Sequence, residues 1–298
     1  MLRSTLEDDR TPWRNAAISG FIVDPDRKKM SKSKGNVVTP ADVLDNHGSD
    51  AVRYWAASSR LGMDAAFDPQ NPTQVKIGRR LAIKVLNAAK FVLSFPVPEG
   101  AEVTRALDAS MLTALDGVVV EATKAFERYD AARALELTEA FFWTFCDDYL
   151  ELVKERAYDR TDAGQASAAL SLRLALSTLL RLLAPVISFA TEEVWSWFEE
   201  GSVHNAAWPE PLGVEGDAAV LSVASEALIG IRRAKTEAKA SQKTPVSRAV
   251  IAAPAAKLDA LRAAADDLRA VGRIAEIEFV EAEEFAVTAI EFAPTEDA

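Results

Sequence analysis

Apolar residues change their spacing twice along the chain. Between residue 73 and about residue 198 they recur every three or four positions, which is the spacing of amphipathic helices. Before residue 73 the pattern is broken, and a short apolar run at residues 21–23 precedes a polar turn. After residue 212, helical and strand-like segments take turns. We therefore predict a mainly α chain in three parts, residues 1–72, 73–212 and 213–298.

The middle part is predicted to be an antiparallel helix bundle. Polar and proline residues at positions 70–73 mark its start. Asp108 is the predicted N-cap of a helix that ends near residue 126, and Asp130 that of a helix that ends near residue 157. A further helix is predicted over residues 165–183, and Pro185 ends it.

The outer parts are predicted to hold shorter elements. Thr39 is the expected N-cap of a helix with Pro40 in its first turn, and Ser49 or Asp50 is the expected cap of a second short helix. In the third part, a helix over 220–240, a strand over 246–251, a helix over 255–268 and strands over 274–280 and 285–292 make a small α/β unit.

Charge is spread unevenly along the 298 residues. The formal net charge is −11, which by itself argues against nucleic-acid binding, because phosphate must be neutralised by lysine and arginine. Residues 274–298 contain no lysine or arginine, whereas basic residues cluster at 27–34, 76–90 and 232–243. A local basic face can bind RNA on an acidic protein.

Cysteine usage and the apolar runs narrow the class of protein. A single cysteine, Cys146, excludes an intrachain disulfide and a cysteine-cluster zinc site, and we expect it to be a buried thiol. No apolar run approaches the roughly 18 residues that cross a membrane, and the first residues lack the apolar segment of a signal peptide. We expect a cytoplasmic protein with no membrane partner and no protein-bound metal.

The most informative stretch is Lys28-Lys29-Met30-Ser31-Lys32-Ser33-Lys34-Gly35-Asn36. Lysines and serines alternate here in a way that suits a mobile loop. Flexible cationic heads can meet phosphate, hydroxyls can hydrogen-bond the same oxygens, and Gly35 allows an unusual backbone angle. A localisation tag or a solvated surface segment is the alternative interpretation of such a basic run.

The string Lys29-Met30-Ser31-Lys32-Ser33 resembles the KMSKS signature of class I aminoacyl-tRNA synthetases. Several further strings resemble the valyl-tRNA synthetase family of bacteria, in its C-terminal portion. They are Asn36-Val37-Val38-Thr39-Pro40, Gly48-Ser49-Asp50-Ala51-Val52-Arg53-Tyr54, Phe145-Cys146-Asp147-Asp148-Tyr149-Leu150-Glu151, Thr191-Glu192-Glu193-Val194-Trp195 and Ile231-Arg232-Arg233-Ala234-Lys235.

The resemblance implies the end of a nucleotide-binding α/β domain, then an anticodon-binding helix bundle, then the small α/β unit. It implies ATP with Mg²⁺ as a substrate complex and tRNA(Val) as a partner. Lys29 and Lys32 would stabilise the leaving pyrophosphate, as catalytic residues. The expected ATP-binding residues are Lys29, Met30, Ser31, Lys32 and Ser33, with Met30 packed beneath the loop.

One departure from the family limits what this chain is expected to do. The family's His-x-Gly-His motif is absent, since neither His47 nor His204 stands in such a context, and there is no room for an editing domain. We expect a fragment that does not aminoacylate alone and that needs the missing N-terminal catalytic half as its partner. A monomer is expected.

Basic residues on the outer faces of helices are candidates for contact with tRNA. A solvated helix face is the alternative for each of them, and residues 141–149 are interpreted as core aromatics, with base stacking as the alternative. The candidates are Arg79, Arg80, Lys84, Lys154, Arg156 and Arg160 in the bundle, and Arg232, Arg233, Lys235, Lys239 and Lys243 after it.

Two other functions stay open. The chain could be a stand-alone tRNA-binding module without catalysis, although such a module has little use for an intact loop from Lys29 to Ser33. It could also belong to an isoleucine- or leucine-tRNA ligase, because the residues that choose the amino acid lie outside this sequence.

Overall fold

The first part of the chain holds two short parallel strands and three helices. A computed structural model describes residues 2–37 and 39–293, so Val38 in one of the family-like strings, Met1 and residues 294–298 lie outside the described residues. The two strands pair with Ile22 opposite Ala65. The elements are α1 (Leu2–Asp8), β1 (Ile22–Val23), a 3₁₀ turn (Lys32–Lys34), α2 (Ala41–His47), α3 (Ser49–Ala57) and β2 (Ala65–Ala66).

The middle of the chain is helical, which confirms the prediction of a mainly α protein. A π-helical turn, Phe145–Tyr149, joins two of the helices into one long rod without a loop. The elements are α4 (Thr73–Leu93), α5 (Ala106–Glu127), α6 (Ala131–Thr144), α7 (Leu150–Tyr158), α8 (Gln165–Leu183), α9 (Ser188–Trp195) and a 3₁₀ turn (Val203–Asn205).

The end of the chain forms a three-stranded sheet covered by helices. The elements are α10 (Ala219–Glu237), β3 (Val246–Ala253), α11 (Ala255–Ala263), α12 (Ala265–Gly272), β4 (Ile274–Glu281) and β5 (Ala286–Phe292). The strand order is β4-β3-β5, with β3 parallel to β4 and antiparallel to β5. The single helix predicted before β4 is divided in two at Ala264, because that residue leaves the helical backbone geometry.

Of three predicted N-caps, one is confirmed by the structure and two are wrong. Asp130 caps α6 by accepting a hydrogen bond from the Arg133 amide, at 3.0 Å. The prediction for Thr39 was wrong, because α2 begins at Ala41 and Pro40 stands at its N-cap position. The prediction for Asp108 was also wrong, because its carboxylate is fully buried and binds side chains from other helices.

The aromatic stretch around the π-helical turn lies mostly in the core, as predicted. Phe142, Phe145 and Tyr149 are buried, and the rings of Phe145 and Tyr149 stack with their centroids 5.9 Å apart. Cys146 is buried as well, and burial raises the pKa of its thiol to about 12. This cysteine is therefore a packing residue that stays protonated at neutral pH.

One helix is long and apolar enough to cross a membrane by length and composition alone, although Arg173 and Arg181 interrupt its apolar residues. Helix α8 has the length and composition of a membrane span, yet 67% of that window is buried inside the protein. Leu172, Leu176 and Leu179 on α8 pack in the same core as α5 and α7. An apolar helix buried on nearly all sides is the centre of a bundle here.

A buried arginine joins the helical part to the α/β unit. Arg156 on α7 donates to both carboxylate oxygens of Asp108 on α5, each at 2.8 Å, and to Asp267 on α12 at 2.8 and 3.2 Å. A further bond to the Gly164 carbonyl satisfies the last of its five N–H groups. Burial opposes the charge, but the two carboxylates outweigh it and raise the pKa of Arg156 above its usual value.

The carboxylate of Asp108 is equally well satisfied. It accepts hydrogen bonds from the Tyr149 hydroxyl at 2.7 Å and from the Ser167 hydroxyl at 2.6 Å, in addition to those from Arg156. Ser167 in turn accepts from the Thr104 amide at 3.0 Å. The π-helical turn that carries Tyr149 and the starts of α5 and α8 are thereby fixed around one guanidinium.

Replacing Arg156 is expected to destabilise the whole protein. The change Arg156→Met leaves two carboxylates buried without a cation, and breaking such a pair costs about 3–5 kcal/mol in the free energy of unfolding. The matched control Arg262→Met removes an exposed pair with Asp259 and should cost less than about 1 kcal/mol. Urea unfolding followed by circular dichroism measures both values. A loss below about 1 kcal/mol for Arg156→Met would contradict the proposed role of this ion pair.

Candidate functional site

The lysine loop leaves the sheet directly after β1. Arg27 turns the chain with a φ of 61°, and Lys29 returns to form a single antiparallel bridge with Val23. The chain then enters the 3₁₀ turn, where the Gly35 amide donates to the Lys32 carbonyl and Gly35 adopts a φ of 69°. The expectation that Gly35 supplies a left-handed residue at the end of the loop is confirmed.

Two side chains close the base of this loop. The carboxylate of Asp24, only 8% exposed, accepts from the Lys28 amide at 2.7 Å and from the Asn36 side-chain amide at 2.8 Å. The other end of the Asn36 side chain accepts from the Ser31 amide at 2.9 Å. The bonds from Asn36 and from Lys28 lower the pKa of Asp24, so this carboxylate is ionised at neutral pH.

The lysines of the loop remain largely available to a ligand. The Lys28 ammonium lies 3.3 Å from Asp26, and the Lys29 ammonium lies 5.4 Å from the centre of the Phe21 ring. Among the described residues, Lys32 and Lys34 have no ion-pair partner and are exposed. A segment with several cations and little internal neutralisation is suited to an anion that carries several charges.

The remaining residues of the loop have two roles: Met30 packs against the protein, and the serines present their hydroxyl groups. Met30 is half-buried and packs against a small second core that contains Val43, Phe67 and Val75, which agrees with its predicted place beneath the loop. The hydroxyls of Ser31 and Ser33 lie 3.2 Å apart and face each other. The loop is therefore anchored by Met30 on one side and presents lysines and serines on the other.

Helix α3 fixes the loop-bearing part onto the helical part. Asp50 accepts hydrogen bonds from the backbone amides of Phe189 at 3.0 Å and Ala190 at 2.7 Å, and so caps the first turn of α9. Arg53, one turn later, donates to the carbonyl groups of Pro185 at 2.8 Å and Val186 at 3.1 Å. The sequence indicated Asp50 as a possible cap for its own helix, whereas the fold uses it to cap a helix 140 residues away.

A second contact of α3 runs to α6 and α4. The Tyr54 hydroxyl donates to Glu139 at 2.6 Å, and burial together with this carboxylate raises the pKa of Tyr54 above its usual value. Gly78 on α4 lets the two helices approach closely, since a Cβ there would lie 2.5 Å from the Cβ of Tyr54. Helices α3 and α4 are thus packed too tightly to slide over each other.

The predicted RNA-contacting residues of α4 gather around an aromatic side chain. Arg80 and Lys84 lie over the ring of Trp143, 5.2 and 5.8 Å from its centre. The Lys84 ammonium also bonds Asp147 at 2.8 Å; burial opposes its charge, but this bond outweighs it and raises the pKa of Lys84. Together they line an open groove between α4 and α6.

The other candidates are distributed over several surfaces. Arg79 donates to the Asn46 carbonyl at 2.7 Å and so ties α4 to the end of α2. Arg232 lies 3.6 Å from Glu151, and Arg233 bonds Glu237 at 2.8 Å along the same helix. Lys154, Arg160, Lys239 and Lys243 have no ion pair among the described residues.

Two of the predicted RNA contacts are wrong because the side chains are buried. Arg156 is held between Asp108 and Asp267 and cannot reach a ligand. Lys235 is 1% exposed and donates to the carbonyl groups of Gln242, Thr244 and Gly272 at 2.7 to 3.0 Å. Burial, with Arg273 nearby, lowers the pKa of Lys235. The positions of Arg156 and Lys235 in the sequence did not indicate burial, because the neighbouring elements decide which face of a helix is covered.

Acidic and histidine side chains do not converge on a common point in the described part of the chain. No group of three or more His, Cys, Asp or Glu residues there could hold a metal ion. The Nε2 atom of His204 lies 3.2 Å from the Ser188 carbonyl oxygen. The carboxylate of Glu192 accepts a hydrogen bond from the Val203 amide at 3.0 Å.

Two family models match this arrangement of loop and helices. Residues 1–68 match the model described as tRNA synthetases class I (I, L, M and V), and residues 108–251 match the anticodon-binding domain of tRNA ligase. The second match runs across residue 212, and the divisions at residues 72 and 212 stay predictions. Both matches are to parts of tRNA synthetases, and the first is to those of class I.

Curated relatives of the chain are valine–tRNA ligases. The chain is 65% identical to a valine–tRNA ligase of Leifsonia xyli subsp. xyli and 52% identical to that of Thermobifida fusca. These matches cover 97% and 99% of this chain, but only 34% of either relative. Over nearly its whole length, the chain is similar to part of these valine–tRNA ligases. It spans about a third of the length of the curated relatives that it matches.

A solved structure shares the fold. The LeuRS–tRNA–LeuAMS ternary complex from Agrobacterium radiobacter K84 matches with a TM-score of 0.50 at 20% sequence identity. The match covers 78% of this chain and 25% of that chain. At this identity the likeness concerns the fold alone.

The structure makes opposite predictions for two neighbouring residues of α3. The change Asp50→Ala leaves two amides of α9 without their acceptor and should cost about 1–3 kcal/mol in the free energy of unfolding. The matched control Ser49→Ala removes an exposed hydroxyl and should change it by less than about 0.5 kcal/mol. Urea unfolding measures both. Equal losses for the two variants would mean that these residues only cap their own helix.

Proposed function

We propose that this chain is part of a valine–tRNA ligase and contributes two functions to it. Its loop binds ATP and the leaving pyrophosphate during formation of valyl-adenylate, and its helices bind the anticodon region of tRNA(Val). Residues 1–72 belong to the catalytic domain, 73–212 to the anticodon-binding domain and 213–298 to a small C-terminal domain. ATP enters as its Mg²⁺ complex. The protein acts in the cytoplasm as a monomer.

The observation that carries this proposal is the availability of Lys32. It lies on a 3₁₀ turn that projects from the end of a parallel strand, exposed and without an ion-pair partner among the described residues. Ligands of α/β sheets bind beyond the carboxyl ends of parallel strands, which is where this loop begins. The position and the chemistry of the loop thus agree.

The proposed chemistry follows from the charge that develops in the reaction. Attack of the valine carboxylate on the α-phosphate of ATP leaves pyrophosphate, whose oxygens gain negative charge in the transition state. Lysines that reach those oxygens stabilise the transition state more than the ground state and so accelerate the step. Lys32 takes the direct contact and Lys29 the second, while Ser31 and Ser33 hold the turn in shape.

An exposed apolar surface supports the need for a further polypeptide. Ile18, Phe21, Ile22 and Met63, at the two-stranded sheet, are each more than half exposed. A sheet of two strands is marginally stable in water and leaves both outer edges unpaired. The missing N-terminal catalytic half would cover this surface, which agrees with relatives about three times as long as this chain.

The groove around Trp143 is the best supported place for RNA in the helical part. Arg80 and Lys84 both lie over the Trp143 ring, and Asp147 pairs with Lys84, which leaves the charge of Arg80 for an RNA phosphate. The overall charge of −11 disfavours non-specific binding, so the local basic surface must supply the attraction.

The loop assignment predicts a dependence of adenylate formation on Lys32. Valine-dependent ATP–pyrophosphate exchange should be absent with the chain alone and appear when the N-terminal remainder is supplied. In that mixture Lys32→Ala should lower exchange by about 10²–10³-fold, the loss expected for one charged group at a developing anion. The control Lys76→Ala, an exposed lysine on α4, should change it less than about threefold.

Other outcomes of that assay have definite meanings. Exchange by the chain alone would show that a complete site exists within these residues. Equal activity of Lys32→Ala and the unaltered chain would remove the loop from the chemistry. Silence in the mixture together with tight tRNA binding would favour a stand-alone tRNA-binding module.

The groove assignment predicts a change in the salt dependence of tRNA binding. Removing the charge in Arg80→Gln should weaken binding and reduce the slope of log K against log salt concentration by about 0.7–0.9, the value for one lost phosphate contact. The matched control Arg262→Gln, on α11, should leave the slope unchanged. Filter binding or fluorescence anisotropy at several salt concentrations gives both slopes. An unaltered slope for Arg80→Gln would exclude this groove as a phosphate contact.

A further inference from the structure

We propose that Asp24 and Asn36 form a clasp that positions the lysine loop, and that the loop keeps its shape only while the clasp is closed. The inference rests on the proposed function of the loop and adds two positioning residues to it. Neither residue lies among the alternating lysines and serines of residues 28–34, and neither needs to touch the nucleotide. Their effect passes through the backbone on which Lys29 and Lys32 stand.

The hydrogen bonds converge on these two side chains. Asp24 holds the strand side of the loop through the Lys28 amide, and Asn36 holds the far side through the Ser31 amide. The bond of 2.8 Å between the two side chains then joins both sides. A weaker contact of 3.3 Å runs from Asn36 to the Lys29 carbonyl. Both carboxylate oxygens of Asp24, and both the oxygen and the nitrogen of the Asn36 amide, take part in these hydrogen bonds.

Few other polar contacts could replace the clasp. Among residues 2–29 and 31–37, every hydrogen bond from residues 31–36 to residues earlier in the chain is made by the Asn36 side chain. The serine hydroxyls bond only each other, and the 3₁₀ turn is held by its own backbone bonds from Lys34 and Gly35. Without Asn36, the segment with Lys32 keeps its local turn and the packing of Met30 but loses its side-chain hydrogen bonds to Asp24 and Lys29.

The surroundings make the clasp strong for a surface feature. Asp24 is ionised and nearly buried, so both of its bonds are charge-assisted hydrogen bonds shielded from water. Left-handed residues flank it on both sides, Arg27 at φ 61° and Gly35 at φ 69°. For Arg27, which is not a glycine, such a backbone persists only when the contacts around it over-determine it, and the clasp supplies those contacts.

Exchanging the two side chains gives a test that separates positioning from simple loss of a residue. In the double variant Asp24→Asn/Asn36→Asp, the new amide can bond the new carboxylate, and the Lys28 and Ser31 amides keep their acceptors. Each single variant lacks one bond: Asp24→Asn sets two amides face to face, and Asn36→Asp sets two carboxylates face to face. The exchange should therefore rescue what either single change loses.

The first measurement is tryptic cleavage after Lys29 and Lys32, followed by intact mass spectrometry. Proteases cut opened segments, so Asp24→Asn and Asn36→Asp should each be cut about tenfold faster, the factor for one charge-assisted hydrogen bond. The double variant should return to within about threefold of the unaltered chain. The control Asp26→Asn, which loses only an exposed pair with Lys28, should not differ.

The second measurement is valine-dependent ATP–pyrophosphate exchange with the N-terminal remainder supplied. Exchange should fall about tenfold in each single variant and recover in the double variant, as expected for a displaced catalytic group. Unchanged cleavage in the single variants, or a double variant as impaired as they are, would overturn the clasp. Faster cleavage with unchanged exchange would overturn its positioning role. If the unaltered mixture is silent, the proposed function fails, and the cleavage rates still decide whether the clasp exists.

Discussion

The buried guanidinium of Arg156 is the constraint on which the arrangement of this protein depends. All five of its N–H groups are bonded, to Asp108 on α5, to Asp267 on α12 and to the backbone before α8. A charge removed from water is tolerated only when opposite charges and hydrogen bonds are in place, so these elements can pack in one way only. The orientation of the α/β unit relative to the helices follows from this requirement.

The loop-bearing part is attached by the same kind of contact at a second place. Asp50 and Arg53 on α3 bond the backbone at the α8–α9 junction, where amides and carbonyls are left free by the helix ends. This junction gives the lysine loop a fixed position relative to the groove at Trp143. The proposed function, in which the loop binds nucleotide and the helices bind the anticodon region, requires such a rigid connection.

Much of the site was visible in the sequence. The left-handed Gly35 and the core aromatics could be inferred from residue type and spacing, because local backbone preference and apolar periodicity decide them. The string from Lys29 to Ser33 and the packing of Met30 were expected from the resemblance to a known family. Asp24 was not singled out. It looks like an ordinary turn residue after a strand, and only the return of Asn36 to within 2.8 Å reveals its function.

Residue type and spacing alone indicated the helical character of the middle part, the approximate ends of several helices, the order of elements in the α/β unit and the resemblance to a family. These depend on interactions between residues close together in the chain, or on strings that can be compared directly. The folded protein was needed to show that Arg156 and Lys235 are buried, that Asp50 caps a distant helix and that Asp108 does not cap its own. The physical reason is that a charged side chain on a helix looks the same in sequence whether its neighbour is water or a carboxylate contributed by another segment.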